Sequence, residues 1–145
     1  MIKLKSGRQE IVSAEPIEVN YNDVAAYGSA ENVFDIPANA ILVGGEVTVL
    51  TAWNSATTAT LKLGDSTDDD RYTSSAIDLK TAGRVALTLT GYKHTVNEFL
   101  KALFAQTGAA ATAGKCRIRI EYIVAGRAAF SQGLDTRAAS GLPGA

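Results

Sequence analysis

Cysteine and histidine are almost missing from this sequence of 145 residues, which holds one of each, Cys116 and His94. A lone cysteine excludes an internal disulfide and a thiolate metal cluster. A lone histidine leaves little room for a metalloenzyme or for proton shuttling between imidazoles. An excess of charge of one sign is lacking too, since 14 lysines and arginines meet 15 aspartates and glutamates. The net charge of -1 argues against a partner gripped mainly through phosphates, which calls for a strongly basic face. The longest mostly apolar stretch, Ala38 to Val43, is too short to cross a bilayer. Met1-Ile2-Lys3-Leu4-Lys5 alternates apolar and basic residues and does not read as a signal peptide, and no Asn-x-Ser/Thr acceptor occurs. These absences predict a chain without enzymatic activity or cofactor, folded in a reducing cytoplasm, with no membrane and no nucleic acid among its partners.

What is present is enough for a core. Hydrophobic residues make up 46% of the chain against 20% charged, which excludes a wholly disordered polymer. Period-two alternation is the dominant pattern, and it places successive side chains on opposite faces of strands. From Ile41 the odd positions Ile41, Val43, Gly45, Val47, Val49, Thr51 and Trp53 form one expected inner face, with Gly44-Gly45 marking a bulge or bend. Further strands are expected at Thr58 to Leu63, at Arg84 to Thr90 with Val85, Leu87 and Leu89 inward, and at Lys115 to Val124 with Cys116, Ile118, Ile120, Tyr122 and Val124 inward. Ile17 and Val19 alternate with Glu18 and Asn20, and Ile2 and Leu4 alternate with lysines. The segment from Asn97 to Gln106 fits either a short helix or a strand; a strand leading through 107–114 into the one at Lys115 would make a hairpin. Strand-like segments separated by Gly, Asn, Asp and Ser clusters predict an all-β, antiparallel β-sandwich. Residues 1–127 are expected to form this domain. Residues 128–145, small and aperiodic, read as an extended C-terminal arm or as a frayed terminus.

Chemical motifs are few. Gly108 to Cys116 fails as a phosphate loop, because five residues separate its glycines and a cysteine follows Lys115. Asp65, Asp68, Asp69 and Asp70 cluster within one loop and are the only candidate metal ligands, oxygen donors suited to a hard cation such as calcium. The same residues are common turn formers, with Arg71 able to pair one aspartate. His94 is expected in a solvated loop, and Cys116 as a small buried hydrophobe. Trp53 serves either as a core aromatic or as a stacking and contact platform. Lys115, Arg117 and Arg119 share a strand face, solvated or turned toward a protein partner. Phe130 and Leu134 are the apolar points of the C-terminal stretch that would meet a neighbouring subunit.

Several stretches together resemble a known family. They are Val33-Phe34-Asp35-Ile36-Pro37-Ala38-Asn39-Ala40-Ile41, Gly44-Gly45-Glu46-Val47-Thr48-Val49, Ala52-Trp53-Asn54-Ser55 and Leu61-Lys62-Leu63-Gly64-Asp65. Asp69-Asp70-Arg71-Tyr72, Thr112-Ala113-Gly114-Lys115 and Ile118-Arg119-Ile120-Glu121-Tyr122 complete the set. From Val33 to Val124 the chain resembles the jelly-roll decoration, or cement, proteins that coat the heads of tailed bacteriophages. The resemblance implies a jelly-roll-like sandwich, a homodimer or homotrimer, that binds the outer surface of the capsid and clamps neighbouring major capsid protein subunits. It implies residence in the virion after assembly in the host cytoplasm. The alternative is a receptor- or carbohydrate-binding sandwich of a phage tail or head fibre, using Trp53, Tyr72 or Tyr92 as stacking platforms and a cation in the acidic loop.

Overall fold

The longest strand organises the sheets. In the computed structural model, which describes residues 1–126, Ala40–Thr51 runs beside Lys115–Val124 in antiparallel register along nearly its whole length. The described residues form nine strands: β1 (Val12–Ser13), β2 (Ile17–Asn20), β3 (Ala30–Ile36), β4 (Ala40–Thr51), β5 (Thr58–Gly64), β6 (Ile77–Asp78), β7 (Gly83–Ala86), β8 (Glu98–Thr107) and β9 (Lys115–Val124). One sheet has β9 at its centre, with β4 and then β7 on one side and β1 and β2 in succession on the other. The second sheet has the order β3-β8-β5-β6, and every pairing in both is antiparallel. The expected all-β sandwich is therefore the observed fold.

The inner faces supply the core. Val47, Val49, Cys116, Ile118 and Ile120 come from the first sheet, and Ile36, Leu61, Leu63, Leu100, Ala102 and Phe104 from the second. Burial pushes the Cys116 thiol up to about 12, so at neutral pH it packs as an uncharged apolar group. Trp53 closes one part of the core at 1% exposure, its ring stacked on Phe104 at 6.0 Å. Its indole N–H donates to Tyr27 Oη at 3.0 Å, and Tyr27 in turn donates to the Tyr21 carbonyl at 2.7 Å.

Several expectations are corrected. The inner face of β4 is not continuous, because the register slips between Leu42 and Gly44. Val43 is the extra residue of that bulge and is 38% exposed, so Ala40 and Leu42 point inward before it and Val47 and Val49 after it. One inserted residue reverses the side-chain parity of a strand. The segment from Asn97 to Gln106 is a strand from Glu98 on, β8, but it makes no hairpin with β9. The residues 108–114 instead step from one sheet to the other, a gap of about 10 Å. Of Val85, Leu87 and Leu89, only Leu87 is buried; the other two are 41% and 43% exposed. There the chain leaves β7, with Leu87 N–H donating to the Gly45 carbonyl and Thr88 N–H to the Tyr72 carbonyl. Ile2 and Leu4 join no strand and are 97% and 94% exposed.

Gly45 shows how closely the sheet passes the chain at this bulge. Its φ is +146°, and a Cβ there would lie 2.5 Å from the Arg119 carbonyl oxygen and 2.9 Å from Leu87 Cδ1. Gly45→Ala is expected to lower unfolding free energy by about 1–3 kcal/mol. Gly7→Ala, with nothing within 4 Å of its Cβ, should stay within about 0.5 kcal/mol of the parent. Urea denaturation of both variants checks the difference.

Candidate functional site

The acidic loop after β5 folds back on itself because Gly64 has no side chain; a Cβ there would sit 2.1 Å from the Asp68 carbonyl oxygen. The turn sends the four aspartates to two places. Asp65 points inward with no exposed side-chain surface, and Asp68, Asp69 and Asp70 stay on the outside. Asp65 Oδ1 accepts the backbone N–H groups of Thr67 at 3.0 Å and Asp68 at 2.9 Å, and the Thr67 hydroxyl at 2.9 Å. Asp65 Oδ2 accepts Arg71 Nε–H at 2.6 Å, the ion pair expected from the sequence. Burial by itself drives this carboxyl upward, but the hydrogen bonds from Arg71, Thr67 and Asp68 outweigh it and hold the group below its usual range.

Arg71 extends the network to a second loop. Its guanidinium lies 3.6 Å above the Tyr92 ring centroid, a cation–π contact, and Tyr92 meets the His94 ring edge-on at 5.0 Å. His94 is wholly buried, which corrects the expectation of a solvated loop histidine. Its backbone is stapled to the start of β4, accepting from Asn39 N–H at 2.6 Å and donating to the Ala40 carbonyl at 2.9 Å. Its Nδ1 lies 2.5 Å from Glu98 Oε2 and its Nε2 2.8 Å from the Tyr72 hydroxyl. A carboxylate only accepts, so Nδ1 donates to Glu98. Burial raises the Tyr72 phenol well above its usual range, so its hydroxyl stays protonated beside Nε2. No local sequence signal marked this histidine for burial, because Asp65 and Tyr72 belong to a different loop.

Two groups bring metal-type ligands together. Oxygen and nitrogen atoms of Asp65, His94 and Glu98 lie within 4.8 Å of one another, as do carboxylate oxygens of Asp68, Asp69 and Asp70. In the first group the Arg71 guanidinium already occupies the Asp65 oxygens and Glu98 is held by His94. In the second, Asp68 raises the Asp70 carboxyl, and Lys62 approaches Asp69 at 3.6 Å. Chemically the inner group resembles a proton relay, yet Tyr72 and His94 are 1% and 0% exposed and present no atom to a substrate. Its evident work is to lock two loops and the start of β8 together.

The basic strand face is paired across strands. Lys115 and Arg117 lie 3.1 Å and 3.9 Å from Glu18 on β2. Arg119 meets Glu46 on β4 at 2.6 Å and Glu121 at 2.6 Å, and Arg84 on β7 reaches the same Glu46 at 3.3 Å. The Arg119 hydrogen bond holds the Glu46 carboxyl low, while Glu46 and Glu121 push Arg119 further up. This is a ladder of alternating charge and not a cationic ribbon. Trp53 and Tyr72 are both inside at 1% exposure, so neither offers a ring face at the surface. Phe130 and Leu134 lie outside the described residues. The large apolar groups at the surface of the strands and loops include Phe99 (45%) and Val96 (60%), which the sequence pattern did not single out.

Removing Arg71 would leave Asp65 charged and unpaired inside the protein. Arg71→Met is expected to cost about 3–5 kcal/mol in urea denaturation. Asp65 also sets a pH dependence. Because its folded pKa is depressed, its contribution is complete above the usual value of 3.8 and is lost as pH falls through the lower folded value. Stability measured from neutral pH down should fall in that acid window, and Asp65→Asn, less stable at pH 7, should flatten the fall.

The sequence matches no protein-family model and no curated protein. Solved structures do resemble it. A chain in the capsid asymmetric unit of cyanophage Pam1 matches with a TM-score of 0.62 at 22% identity, over 86% of this chain and 92% of that one. A chain in the capsid of Ralstonia phage GP4 matches with a TM-score of 0.62 at 19% identity, over 88% and 92% respectively. A chain in the acid-stable capsid of Helicobacter pylori bacteriophage KHP30 matches with a TM-score of 0.55 at 14% identity, over 79% and 92%. The sandwich described above is therefore a fold shared, nearly end to end, with chains found in phage capsids.

Proposed function

We propose that this chain is a non-enzymatic structural protein of a phage virion, a jelly-roll-type decoration protein that binds the outer capsid surface and clamps neighbouring major capsid subunits. The observation that carries the reading is the likeness to chains in three phage capsids, each matched over 92% of its own length. Two features agree with it. Among the described residues, buried ionisable groups are held by one another, Asp65 by Arg71 and His94 by Glu98 and Tyr72. The charged face of β9 is balanced by Glu18, Glu46 and Glu121, which suits a protein partner better than a phosphate backbone.

In this reading the protein works by mass action. A ligand that binds the assembled lattice and not the free subunits shifts the equilibrium toward the lattice. Weak apolar contacts, about 25 cal/mol for each Å² buried, become effective when repeated and linked over a shell. The protein joins the virion surface in the host cytoplasm, as a dimer or trimer.

The test is co-sedimentation of the purified protein with expanded phage capsids that lack it. Saturable binding and a higher capsid melting temperature are expected. Protein that stays in the supernatant at every capsid concentration overturns the reading.

A further inference from the structure

The first residues of the chain are apolar and basic in alternation, and no described residue covers them. Met1 is wholly exposed, and Ile2 and Leu4 are 97% and 94% exposed. The segment is anchored further on, where Gln9 Nε2–H donates to the Val124 carbonyl at 2.9 Å and β1 pairs Val12 with Tyr122. Gln9 thus stands beside the last residue of β9, and residues 1–8 continue beyond it. Extended, they would span about 26 Å. Such a strand carries Ile2 and Leu4 on one face and Lys3 and Lys5 on the other.

A complementary surface lies along the other sheet. Among the described residues β3 pairs with β8 alone, so its far edge is open. At the end of that edge is a groove of about 470 Å³, floored by Ile36, Pro37, Phe99 and Tyr122 and rimmed by Asp35 and Glu98. Phe99 is 45% exposed there, and the exposed Asp35 carboxylate has no partner among the described residues. The groove at the open β7 edge mixes Ile77 and Val85 with hydroxyl groups, but it carries Arg84, which repels Lys3 and Lys5, and its one carboxylate, Asp78, already accepts from Lys80 N–H and the Thr81 hydroxyl.

We propose that the N-terminal segment of a second copy docks at the open β3 edge, with Ile2 and Leu4 on the Ile36–Phe99–Tyr122 floor and Lys3 and Lys5 toward Asp35. Charge complementarity and the matching apolar faces carry the assignment. The second copy is chosen over the chain's own segment because Ile2 and Leu4, 97% and 94% exposed, rest on none of the described residues of their own chain. Exchange of this segment uses one arm and one edge on each copy, so two copies that exchange reciprocally close a two-fold dimer. The inference stands apart from the capsid reading, since self-association is measured without a capsid and can hold where capsid binding fails.

Sedimentation of the full chain over a range of concentrations tests it. The parent is expected to self-associate, and Ile2→Asp with Leu4→Asp to weaken that association about tenfold or more. Lys3→Glu with Lys5→Glu should weaken it as well, and adding Asp35→Lys should restore it. All these positions are exposed, so at concentrations where the parent is dissociated each variant should keep its melting temperature. Carbodiimide cross-linking of mixed light and heavy isotope copies should join Lys3 or Lys5 to Asp35 between unlike copies. A monomeric parent, an oligomer indifferent to these substitutions, or cross-links only within single copies overturns the proposal.

Discussion

The Asp65 carboxylate has no exposed surface, and a bare charge in that position would cost several kcal/mol. Its partners are therefore a condition for the rest of the molecule. Arg71 approaches because the 65–71 loop turns tightly over Gly64, and that turn also delivers Tyr72 into the interior. From there the chain of contacts passes through His94 to Glu98 at the head of β8, and through the His94 backbone to the first residues of β4. One ion pair thus fixes two loops against both sheets. Replacing its members by apolar groups of the same shape is the kind of change that buried ion pairs often tolerate, but removing one member alone is not.

Strand positions were legible because burial on one face leaves a period of two, which local residues record directly. β5 and β9 fall where the alternation of Leu61 with Leu63 and of Cys116 with Ile118 and Ile120 put them. What failed was anything set by long-range geometry. Val43 looks like an inner residue until the bulge beside it is known, and only the partner strand reveals the bulge. The seven residues 108–114 have the composition of a turn, yet a turn and a sheet-to-sheet crossing differ in what lies opposite and not in what they are made of. His94 was misplaced for the same reason: Tyr72 and Asp65 come from a distant loop, and its own chain neighbours, Lys93 and Thr95, are polar. The pairing of Arg71 with Asp65 was readable because both sit in one turn.

The surface follows a consistent economy of charge. Acidic and basic side chains alternate across β2, β9, β4 and β7, so the outer face of that sheet has little field of its own. Contacts on such a face are decided by shape and by fit of individual pairs, which favours specificity over long-range attraction. The opposite sheet differs at the pair Phe99 and Asp35 of β8 and β3, where Asp35 makes no ion pair among the described residues although Lys101 lies two positions along β8.

The position of β9 has a consequence for how the molecule is made. It is the last described strand in the chain and the centre of its sheet, pairing with β1, β2 and β4. During synthesis those earlier strands leave the ribosome with no partner between them, and the apolar face of β4 waits uncovered. Pairings such as Ile17 with Ile118 close very long loops, which places this sandwich among the slowly folding topologies. The nascent chain is thus at its most aggregation-prone just before β9 emerges, and a ribosome stalled short of Lys115 would release a product in which the apolar face of β4 has lost its long partner strand.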